Sequence, residues 1–457
     1  MLMTEPTMTT HHADTLGALR AELPDLDWTV EPIHLKRLSR DFHWFSPVLK
    51  RELDGKLADA VVCPRSEDEL RAIVAGCARA GIPITVRGGG TGNYGQAVPL
   101  NGGLVIDMTA LTGLVFARDG VARAQAGIKL AALDTLLRPQ GWALRCVPST
   151  YRIATLGGLF CGGFGGVGSI NYGPLGAPGT ILGIKLMTVE AEPRIVELRA
   201  PEAMRLAHTY GTNGIVLEIE LALAPAQDWD EYLIAFDDER SAFAFAHTLA
   251  CEPAIAKNEV ALFSHEAAAY FSKLTPHRQA HEAIVIAAVA RQSGETLAKL
   301  VANHGARIAW TQDAETARNS QHTLIEYCWN HTTLHALRGD KTITYLQTAY
   351  EYGREREQLD AIASAAGAEV LTHLEFIRDM QGRMTCVGLP LIRYTNDARL
   401  TELTRLHRSL GIKVNDPHVF TLEDGKHAGA LDPAILDAKR EYDPNQLLNP
   451  GKIRTVY

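Results

Sequence analysis

Two glycine-rich segments carry the residue types that could bind a diphosphate group. The first, Arg87–Gly95, reads RGGGTGNYG, and the second, Gly157–Gly168, reads GGLFCGGFGGVG. Glycine accepts positive φ angles and has no Cβ, so several backbone N–H groups can converge on a phosphate at close range. Two such clusters in one region are hard to explain as tight turns without a ligand. The sequence therefore predicts a nucleotide cofactor that is held by both segments.

Each segment also contains a GxGxxG pattern, at 90–95 and at 163–168. In a Rossmann fold this pattern opens a helix and precedes an acidic residue at the end of a second strand. Here the first pattern is followed by Pro99 and the second by Pro174, each with further glycines nearby. Because these residues oppose a helix, we expect neither segment to belong to a nicotinamide-binding Rossmann domain.

Histidines are the candidates for acid–base chemistry. His418 follows Asn-Asp-Pro near the C-terminal part of the chain. His331 and His335 are four residues apart and would share one face of a helix, with Arg338 close by. The alternative for this cluster is an ordinary polar helix face. Its spacing would also suit a metal ion, but no third ligand lies at a diagnostic interval, so we predict no metal site.

One further histidine lies on an alternating, strand-like run. His373 and Glu375 would point to the same side of that strand. We interpret them as a hydrogen-bonded pair on a sheet.

Local signals predict the elements that position the first glycine segment. Ala60–Cys63 is a short strand, and Ser66 with Glu69 forms a capping box for a helix that Gly81 ends. Ile82–Val86 is a strand that runs directly into Arg87. Between Pro148 and Gly179, by contrast, the density of glycine predicts no ordinary packed element.

The texture of the sequence changes after Pro225, where we place a domain boundary. Strand-like and helical runs alternate from there on, which is typical of an α+β or α/β domain. The strand-like runs are Tyr232–Phe236, Ala283–Ala290, Ile343–Gln347 and Met384–Leu389, and the helical runs are Arg240–Ala250, Gly294–Asn303, Arg356–Ala366 and Asp397–Leu410.

Composition narrows the class of protein. A chain of 457 residues with 46% hydrophobic and 21% charged residues is typical of a soluble, two-domain globular enzyme. The net charge of -8 and the lack of a basic tract exclude a nucleic-acid role. No signal peptide and no transmembrane segment is predicted. The seven cysteines form no CxxC pair, which favours a reducing cytoplasm and argues against an iron–sulfur or zinc site.

The combination of motifs resembles the vanillyl-alcohol-oxidase/p-cresol-methylhydroxylase (PCMH-type) flavoprotein superfamily. The resemblance rests on five motifs: the capped helix after Pro64, RGGGTG at 87–92, PS…ATLGG at 148–158, GTNGIV at 211–216 and DPNQLLNPGK at 443–452. The branch with the glycolate oxidase D subunit and D-lactate dehydrogenases is the most similar. The resemblance implies an α+β fold with a two-lobed FAD-binding domain over residues 57–225 and an α+β, ferredoxin-like cap domain over 226–420. Residues 1–56 would be a leader and helical lead-in, and 421–457 a tail that returns to the FAD domain.

The resemblance also implies which residues bind FAD. Arg87–Asn93 would hold the diphosphate, and residues of the second segment would contact the diphosphate, the ribityl chain and the flavin ring. Lys452 would close the site from the tail. The complete set of implied FAD-binding residues is Arg87, Gly88, Gly89, Gly90, Thr91, Gly92, Asn93, Pro148, Ser149, Thr155, Gly157, Gly158, Gly162, Gly163, Ile215 and Asn449.

FAD is expected to be non-covalent. Thr91 stands where several members have a linking histidine, and Cys161 does not align with the family's linking cysteine, so we expect it to be a small buried residue.

The implied activity is oxidation of an alcohol or 2-hydroxy acid by hydride transfer to flavin N5, with His418 or the His331, His335 and Arg338 cluster as catalytic residues. The His-Gly-Asp-Gly-Asn-Leu-His and Glu-His-Gly elements of metal-assisted members are absent. The alternative is a flavin electron-transfer subunit with an iron–sulfur partner subunit. A UDP-sugar enoyl reductase of the same superfamily is disfavoured because those enzymes are shorter.

Overall fold

The computed structural model describes residues 9–320, 322–425 and 429–455; the first eight residues of the predicted leader and Lys426 lie outside them. The N-terminal part begins with a four-stranded sheet. Its strands are β1 (Asp27–Thr29), β2 (Ala60–Cys63), β3 (Ile84–Arg87) and β4 (Leu104–Asp107), in the order β1-β2-β4-β3. The helices beside it are α1 (Thr9–Glu22), α2 (Pro32–Leu38), α3 (Pro47–Leu53) and α4 (Glu67–Ala80).

The lead-in before residue 57 is part of this first lobe. Strand β1 pairs with β2, and leucines 16 and 19 of α1 pack into the same core as α4. The predicted capping box is present at α4, where Ser66 Oγ accepts from the N–H of Glu69 at 3.1 Å, and Gly81 ends the helix with φ +67°. Strand β3 ends at Arg87, so the predicted strand leads directly into the first glycine segment.

A second, antiparallel sheet follows. Its strands are β5 (Leu114–Arg118), β6 (Val121–Gln125), β7 (Trp142–Leu144), β8 (Ile181–Met187), β9 (Ile195–Arg199) and β10 (Ile215–Pro225), in the order β5-β6-β10-β8-β9 with β7 also paired to β10. Pro225 is the last residue of β10, so the chain leaves this sheet where the domain boundary was placed. Helices α5 (Leu130–Leu137), α6 (Leu156–Gly162) and α7 (Ser169–Tyr172) lie between these strands in sequence.

Helix α6 contradicts the prediction that residues 148–179 contain no packed element. Thr155 caps it by accepting from the N–H of Gly158 at 3.2 Å, and Leu156, Leu159 and Phe160 are buried in the core. The glycines of this helix face a close neighbour: a Cβ on Gly157 would lie 2.8 Å from that of Ala126. Glycine here permits close packing of the helix, which outweighs its low helix propensity.

The region after Pro225 forms an eight-stranded antiparallel sheet. Its order is β14-β11-β13-β12-β18-β19-β16-β21, and a small sheet β15-β20-β17 lies apart from it. The strands are β11 (Trp229–Phe236), β12 (Lys257–Phe263), β13 (Ala283–Ala290), β14 (Arg307–Gln312), β15 (Ile343–Tyr345), β16 (Gln347–Ala349), β17 (Val370–Leu371), β18 (His373–Arg378), β19 (Met384–Gly388), β20 (Leu391–Arg393) and β21 (Lys413–Asn415).

The two faces of this large sheet have different partners. One face carries Val260 and Leu262 and is covered by helices. The other carries Ala261 and Phe263 and packs with Phe45 of the lead-in, Val167 of the second glycine segment and residues of the segment 324–337. The helices of this region are α8 (Glu239–Cys251), α9 (His265–Ala268), α10 (Gly294–Asn303), α11 (Ala314–Asn319), α12 (His331–Gly339), α13 (Glu355–Ala366) and α14 (Asp397–Ser409).

The tail, with α15 (Leu422–Gly425) and α16 (Pro433–Tyr442), returns to the first lobe. The N–H of Ile84 donates to Leu447 O at 2.7 Å, and the N–H of Asn449 donates to Ile84 O at 2.6 Å. The tail therefore lies along β3, the strand that leads into the first glycine segment.

Candidate functional site

A cavity of about 490 Å³ lies where the two N-terminal sheets meet the large antiparallel sheet. Both glycine segments line one side of it. The other side is lined by Trp329, Asn330 and His331, together with residues of β16, β19 and β21. The cavity is thus a junction between the two halves that the sequence distinguishes.

The first glycine segment presents a row of unused backbone donors. Among the described residues, the N–H groups of Gly89 to Asn93 have no hydrogen-bond partner, and all five residues line the cavity. Consecutive N–H groups around a Gly in the left-handed region, here Gly90 with φ +63°, form a concave anion site. Asn93 is buried and Gly89 to Gly92 are half-buried. Donors that are shielded from water and have no partner are costly, so the row fits a ligand with phosphate oxygens.

The first glycine segment is in direct contact with residues 153–155, which lead into α6 and the second glycine segment. A Cβ on Gly89 would lie 2.2 Å from Ile153 O, and one on Gly88 would lie 2.0 Å from Thr155 Oγ1. These distances leave no room for any side chain. The glycines therefore serve two purposes, because they expose the donors and allow the chain that leads into the second segment to lie against the first.

Most of the predicted FAD-binding residues line this cavity. They are Gly88, Gly89, Gly90, Thr91, Gly92, Asn93, Pro148, Ser149, Thr155, Gly157, Gly158, Gly162, Gly163 and Ile215.

Arg87 and Asn449 lie behind the cavity wall. Arg87 Nη1 donates to Arg40 O at 2.6 Å, and its guanidinium fills the space beside Gly90. Asn449 Nδ2 donates to Gln96 O at 2.9 Å and to Tyr210 O at 2.7 Å. Their contacts are those of residues that shape the loops which line the cavity.

Lys452 is fully buried behind the first segment. Its Nζ donates to Gly95 O at 2.6 Å and lies 5.3 Å from the ring centre of Phe420. Burial lowers the pKa of Lys452 to about 7. The tail thus fixes the end of the first segment through a buried amine.

The opposite wall of the cavity, the cap wall, is a short segment of the region after Pro225. Asn330 Nδ2 donates to Asn93 Oδ1 at 3.0 Å, which joins this segment to the first glycine segment. The ring of Trp329 packs against the second one, since a Cβ on Gly165 would lie 3.1 Å from its Cη2 atom. Residues 329–331 therefore contact both glycine segments.

Among the four predicted catalytic residues, His331 is the one that lines the cavity. It is the first residue of α12, and its Nδ1 is 3.1 Å from Glu326 Oε2. The Glu326 carboxylate also lies 3.6 Å from Nε of Arg152, which precedes the second glycine segment. Burial raises the pKa of Glu326, but the bond and the charge of His331 outweigh it and the net pKa is lowered. A carboxylate on Nδ1 orients the ring and leaves Nε2 for a substrate.

The other predicted catalytic residues lie elsewhere. His335 stacks on Tyr327 with ring centres 4.4 Å apart, and burial lowers its pKa to about 4. Arg338, one turn further along α12, is exposed. The helix thus forms as predicted, but among these three only His331, at its first turn, lines the cavity.

His418 does not line the cavity either. Its Nδ1 is 2.8 Å from Ser46 Oγ and its Nε2 is 2.9 Å from Tyr345 O. Both ring nitrogens are occupied, and burial lowers the pKa of His418. Its contacts join the lead-in to β15.

A polar cluster that the sequence analysis missed also lines the cavity. The Tyr94 hydroxyl donates to Gln347 Oε1, and Asn415 Nδ2 donates to the same oxygen at 2.8 Å. No local signal marks these three residues, because they come from three distant parts of the chain. The exposed Lys413 is the one lysine or arginine among the described residues that line the cavity.

The described part of the chain holds neither a cluster of metal ligands nor a membrane-spanning helix. No group of three or more His, Cys, Asp or Glu side chains there could hold a metal ion. None of the helices in residues 9–320, 322–425 and 429–455 has the length and apolar character needed to cross a bilayer.

Comparisons with known proteins bear on this site. Residues 58–198 match the family described as FAD binding domain. The chain is 35% identical to D-2-hydroxyglutarate dehydrogenase of Escherichia coli (strain K12) over 153 residues, which are 31% of this chain and 15% of that protein. It is 36% identical to D-lactate dehydrogenase of Archaeoglobus fulgidus over 116 residues, 25% of this chain and 26% of the relative.

A third relative is glycolate oxidase subunit GlcD of Escherichia coli (strain K12), 27% identical over 236 residues, 48% of this chain and 47% of that protein. The chain thus matches less than half the length of each of these three curated relatives.

Solved structures show the fold over nearly the whole chain. A structure of alkyldihydroxyacetonephosphate synthase superposes with a TM-score of 0.72 at 15% identity, covering 98% of this chain and 87% of that one. The predicted α+β, PCMH-type fold is confirmed. Residues 58–198, which match the FAD binding domain, contain both glycine segments.

Proposed function

We propose that the protein is an FAD-dependent oxidoreductase that oxidises an alcohol, and in particular a 2-hydroxy acid. The observation that carries this proposal is the cavity itself. The row of free N–H groups from Gly89 to Asn93 lies on one side, and His331, oriented by Glu326, lies on the other. The relatives named D-2-hydroxyglutarate dehydrogenase and D-lactate dehydrogenase support the substrate class.

The residues divide the chemistry between them. Bound FAD would supply the hydride acceptor. His331 Nε2 would accept the proton of the substrate hydroxyl, and Glu326 on Nδ1 would stabilise the charged ring that results. Lys413 would pair with a substrate carboxylate. Tyr94, Gln347 and Asn415 would provide neutral hydrogen-bonding groups on the same side of the cavity.

We also propose that FAD is held without a covalent bond. Thr91, within the first glycine segment, has no nucleophilic nitrogen. Cys161 lines the cavity, but burial raises the pKa of its thiol to about 12, so the nucleophilic thiolate is not formed near neutral pH. Acid precipitation should therefore release all the flavin into the supernatant.

Anaerobic reduction of the flavin tests the activity. The protein is reconstituted with FAD and mixed with D-lactate, glycolate, D-2-hydroxyglutarate, or a simple alcohol, while absorbance near 450 nm is followed. We expect bleaching with at least one 2-hydroxy acid. A protein that binds FAD but is bleached by none of them, and only by dithionite, would contradict the proposal.

A second candidate is the flavin subunit of a larger dehydrogenase that passes electrons to an iron–sulfur subunit. One relative is named as a subunit of glycolate oxidase. Phe164, which lines the cavity, is 42% exposed beside the second glycine segment, where a partner could approach the flavin. Co-purification with a cysteine-rich subunit would support this role. Full turnover of the isolated chain with a dye acceptor would argue against it.

We place the protein in the cytoplasm. All seven of its cysteines are free thiols, as a reducing compartment requires.

A further inference from the structure

Two buried carboxyl groups lie behind the cap wall of the cavity, and the proposed reaction does not use them. Glu259 on β12 and Glu375 on β18 are 1% and 0% exposed. Ala261 pairs with Glu375 across the two strands, so Glu259 and Glu375 share the face of the sheet that turns towards the cavity. Burying a carboxyl group without a cation is costly, so its contacts require an explanation.

Both groups hold the same residue, Trp329. Glu375 Oε1 accepts from the backbone N–H of Trp329 at 2.5 Å, and Glu259 Oε2 accepts from its indole Nε1–H at 2.9 Å. Glu375 Oε1 is also 2.7 Å from His373 Nε2, which is the sheet pair predicted from the sequence. Trp329 is thus held at its backbone by a residue of β18 and at its indole ring by a residue of β12.

Trp329 needs such support. Its φ angle is +54°, in the left-handed region that a bulky residue rarely adopts because its side chain crowds the backbone. Its ring lies against Gly165 in the second glycine segment, and His331 follows two residues later. A change in Trp329 would therefore move both the aromatic wall of the cavity and the residue proposed as base.

The pair must retain at least one proton to do this. Both carboxyls contact the same residue, Trp329, and within the described residues neither forms an ion pair with a lysine or arginine. Two negative charges this close in an apolar core would repel each other, so at least one proton is kept. Burial and the charge of Glu375 raise the pKa of Glu259, and burial raises the pKa of Glu375 to about 8.

The other titratable groups around the pair do not supply a compensating positive charge. Burial lowers the pKa of His373 to about 3 and raises the pKa of the Cys328 thiol, so both are neutral near pH 7. The remaining titratable groups that face the pair or Cys328 are Cys146, Glu231 and Glu326, of which the first is a buried thiol and the other two are acids.

We propose that Glu259 and Glu375 act as a proton-sharing pair of positioning residues that holds Trp329 against the second glycine segment as the cap-side wall of the flavin cavity. The inference rests on the proposed function for its link to catalysis. The position of Trp329 itself can be measured in the protein without FAD or substrate.

The experiment follows Trp329 by fluorescence. The signal of this residue, one of six tryptophans, is obtained by subtracting the emission of Trp329→Phe from that of the parent protein. Glu259→Ala and Glu375→Ala are compared with Glu259→Gln and Glu375→Gln, which keep an acceptor oxygen. Glu355→Ala is the matched control, because Glu355 is a buried cap acid that bonds Thr385, away from Trp329. FAD affinity is measured for each variant by flavin fluorescence.

We expect the alanine variants to shift the Trp329 emission and to weaken FAD binding about tenfold. The glutamine variants should remain within about threefold of the parent protein, as should Glu355→Ala. In the parent protein the Trp329 signal should change as pH rises through about 8. The double variant Glu259→Gln/Glu375→Gln should lose that transition.

Two results would overturn the inference. One is a Trp329 signal and an FAD affinity in the alanine variants that match the parent protein. The other is a double glutamine variant that keeps the alkaline transition at the same pH, a test that applies even where an alanine variant fails to fold. Neither result depends on turnover, so a failure of the proposed activity would be seen separately, as flavin that binds but is not reduced.

Discussion

The two walls of the cavity are built by different means. The FAD-domain wall is mostly backbone, with the free N–H groups of Gly89 to Asn93 and glycines that leave no space for a Cβ. The cap wall is made of side chains. Buried glutamates accept hydrogen bonds from the segment that carries those side chains. Glu231 Oε2, for example, accepts from the N–H of Leu324 at 2.5 Å. A backbone site recognises the diphosphate that every FAD molecule carries, whereas a side-chain site can differ from one substrate to another.

Because the two walls are built differently, mutations in them should have different effects. A mutation in the backbone wall should remove the cofactor, because the glycines have no tolerated replacement. A mutation in the cap wall should lower the affinity for FAD by about tenfold at most and alter the rate, the pH dependence or the stability.

Gly89→Ala should have the largest effect. The new Cβ would lie 2.2 Å from Ile153 O, a contact with backbone that cannot be relieved by a side-chain rotation. We expect FAD affinity to fall by more than about 100-fold, since the first glycine segment must move away from residues 153 and 154. Isothermal titration with FAD measures this. Gly17→Ala, where a Cβ meets nothing within 4 Å, is the control and should bind FAD normally.

His331→Ala should remove the base and retain the cofactor. General-base catalysis contributes about 10²- to 10⁴-fold, so flavin reduction by the substrate should slow by that factor in stopped-flow experiments. FAD content should match that of the parent protein, because the diphosphate row lies on the other wall. A rate within about threefold of the parent protein would show that another group accepts the proton.

His418→Ala should show the converse pattern. It would leave Ser46 Oγ and Tyr345 O without their buried partner, so we expect the free energy of unfolding to fall by about 2–4 kcal/mol. Denaturant unfolding measures that loss. The rate of flavin reduction in the folded variant should stay within about threefold of the parent protein. A loss of rate like that of His331→Ala would restore His418 as a catalytic candidate.

Glu375→Gln should change how stability depends on pH. The pKa of Glu375 is about 8 in the folded protein and 4.5 as its ordinary value, so the unfolded chain releases this proton first. The stabilisation from this group is complete below pH 4.5 and declines as pH rises towards 8, by at most about 1.4 kcal/mol per pH unit. The variant lacks the titration, so its free energy of unfolding should rise relative to the parent protein over that range. Urea unfolding at pH 5, 6, 7 and 8 tests the sign, and an opposite trend would contradict the raised pKa.

The sequence predicted the backbone wall well because its signals are local. The Ser66 cap, Gly81 and strand β3 lie within about twenty residues of the first segment, and each has a direct physical reason. Helix α6 was missed, since the close neighbour of Gly157 is Ala126, a contact that composition does not reveal.

The cap wall was only partly predictable for the same reason. His331 could be chosen from its type and spacing, but nothing near it in sequence distinguished it from His335. Its partner Glu326 lies five residues away, outside the helix that the pattern predicted. Trp329 depends on Glu259 and Glu375, 70 and 46 residues distant, and such contacts exist only once the sheet has formed.

The return of the tail to the first lobe has a consequence for the order of folding. The buried amine of Lys452 bonds Gly95 O, 357 positions earlier in the chain, and Leu447 pairs with the strand that precedes that loop. During synthesis the ribosome therefore completes the region after Pro225 before it releases residues 447–452, which contact the first glycine segment and the strand before it. Nascent chains halted before residue 447 should retain no FAD, so that cofactor capture is among the last events in making this protein.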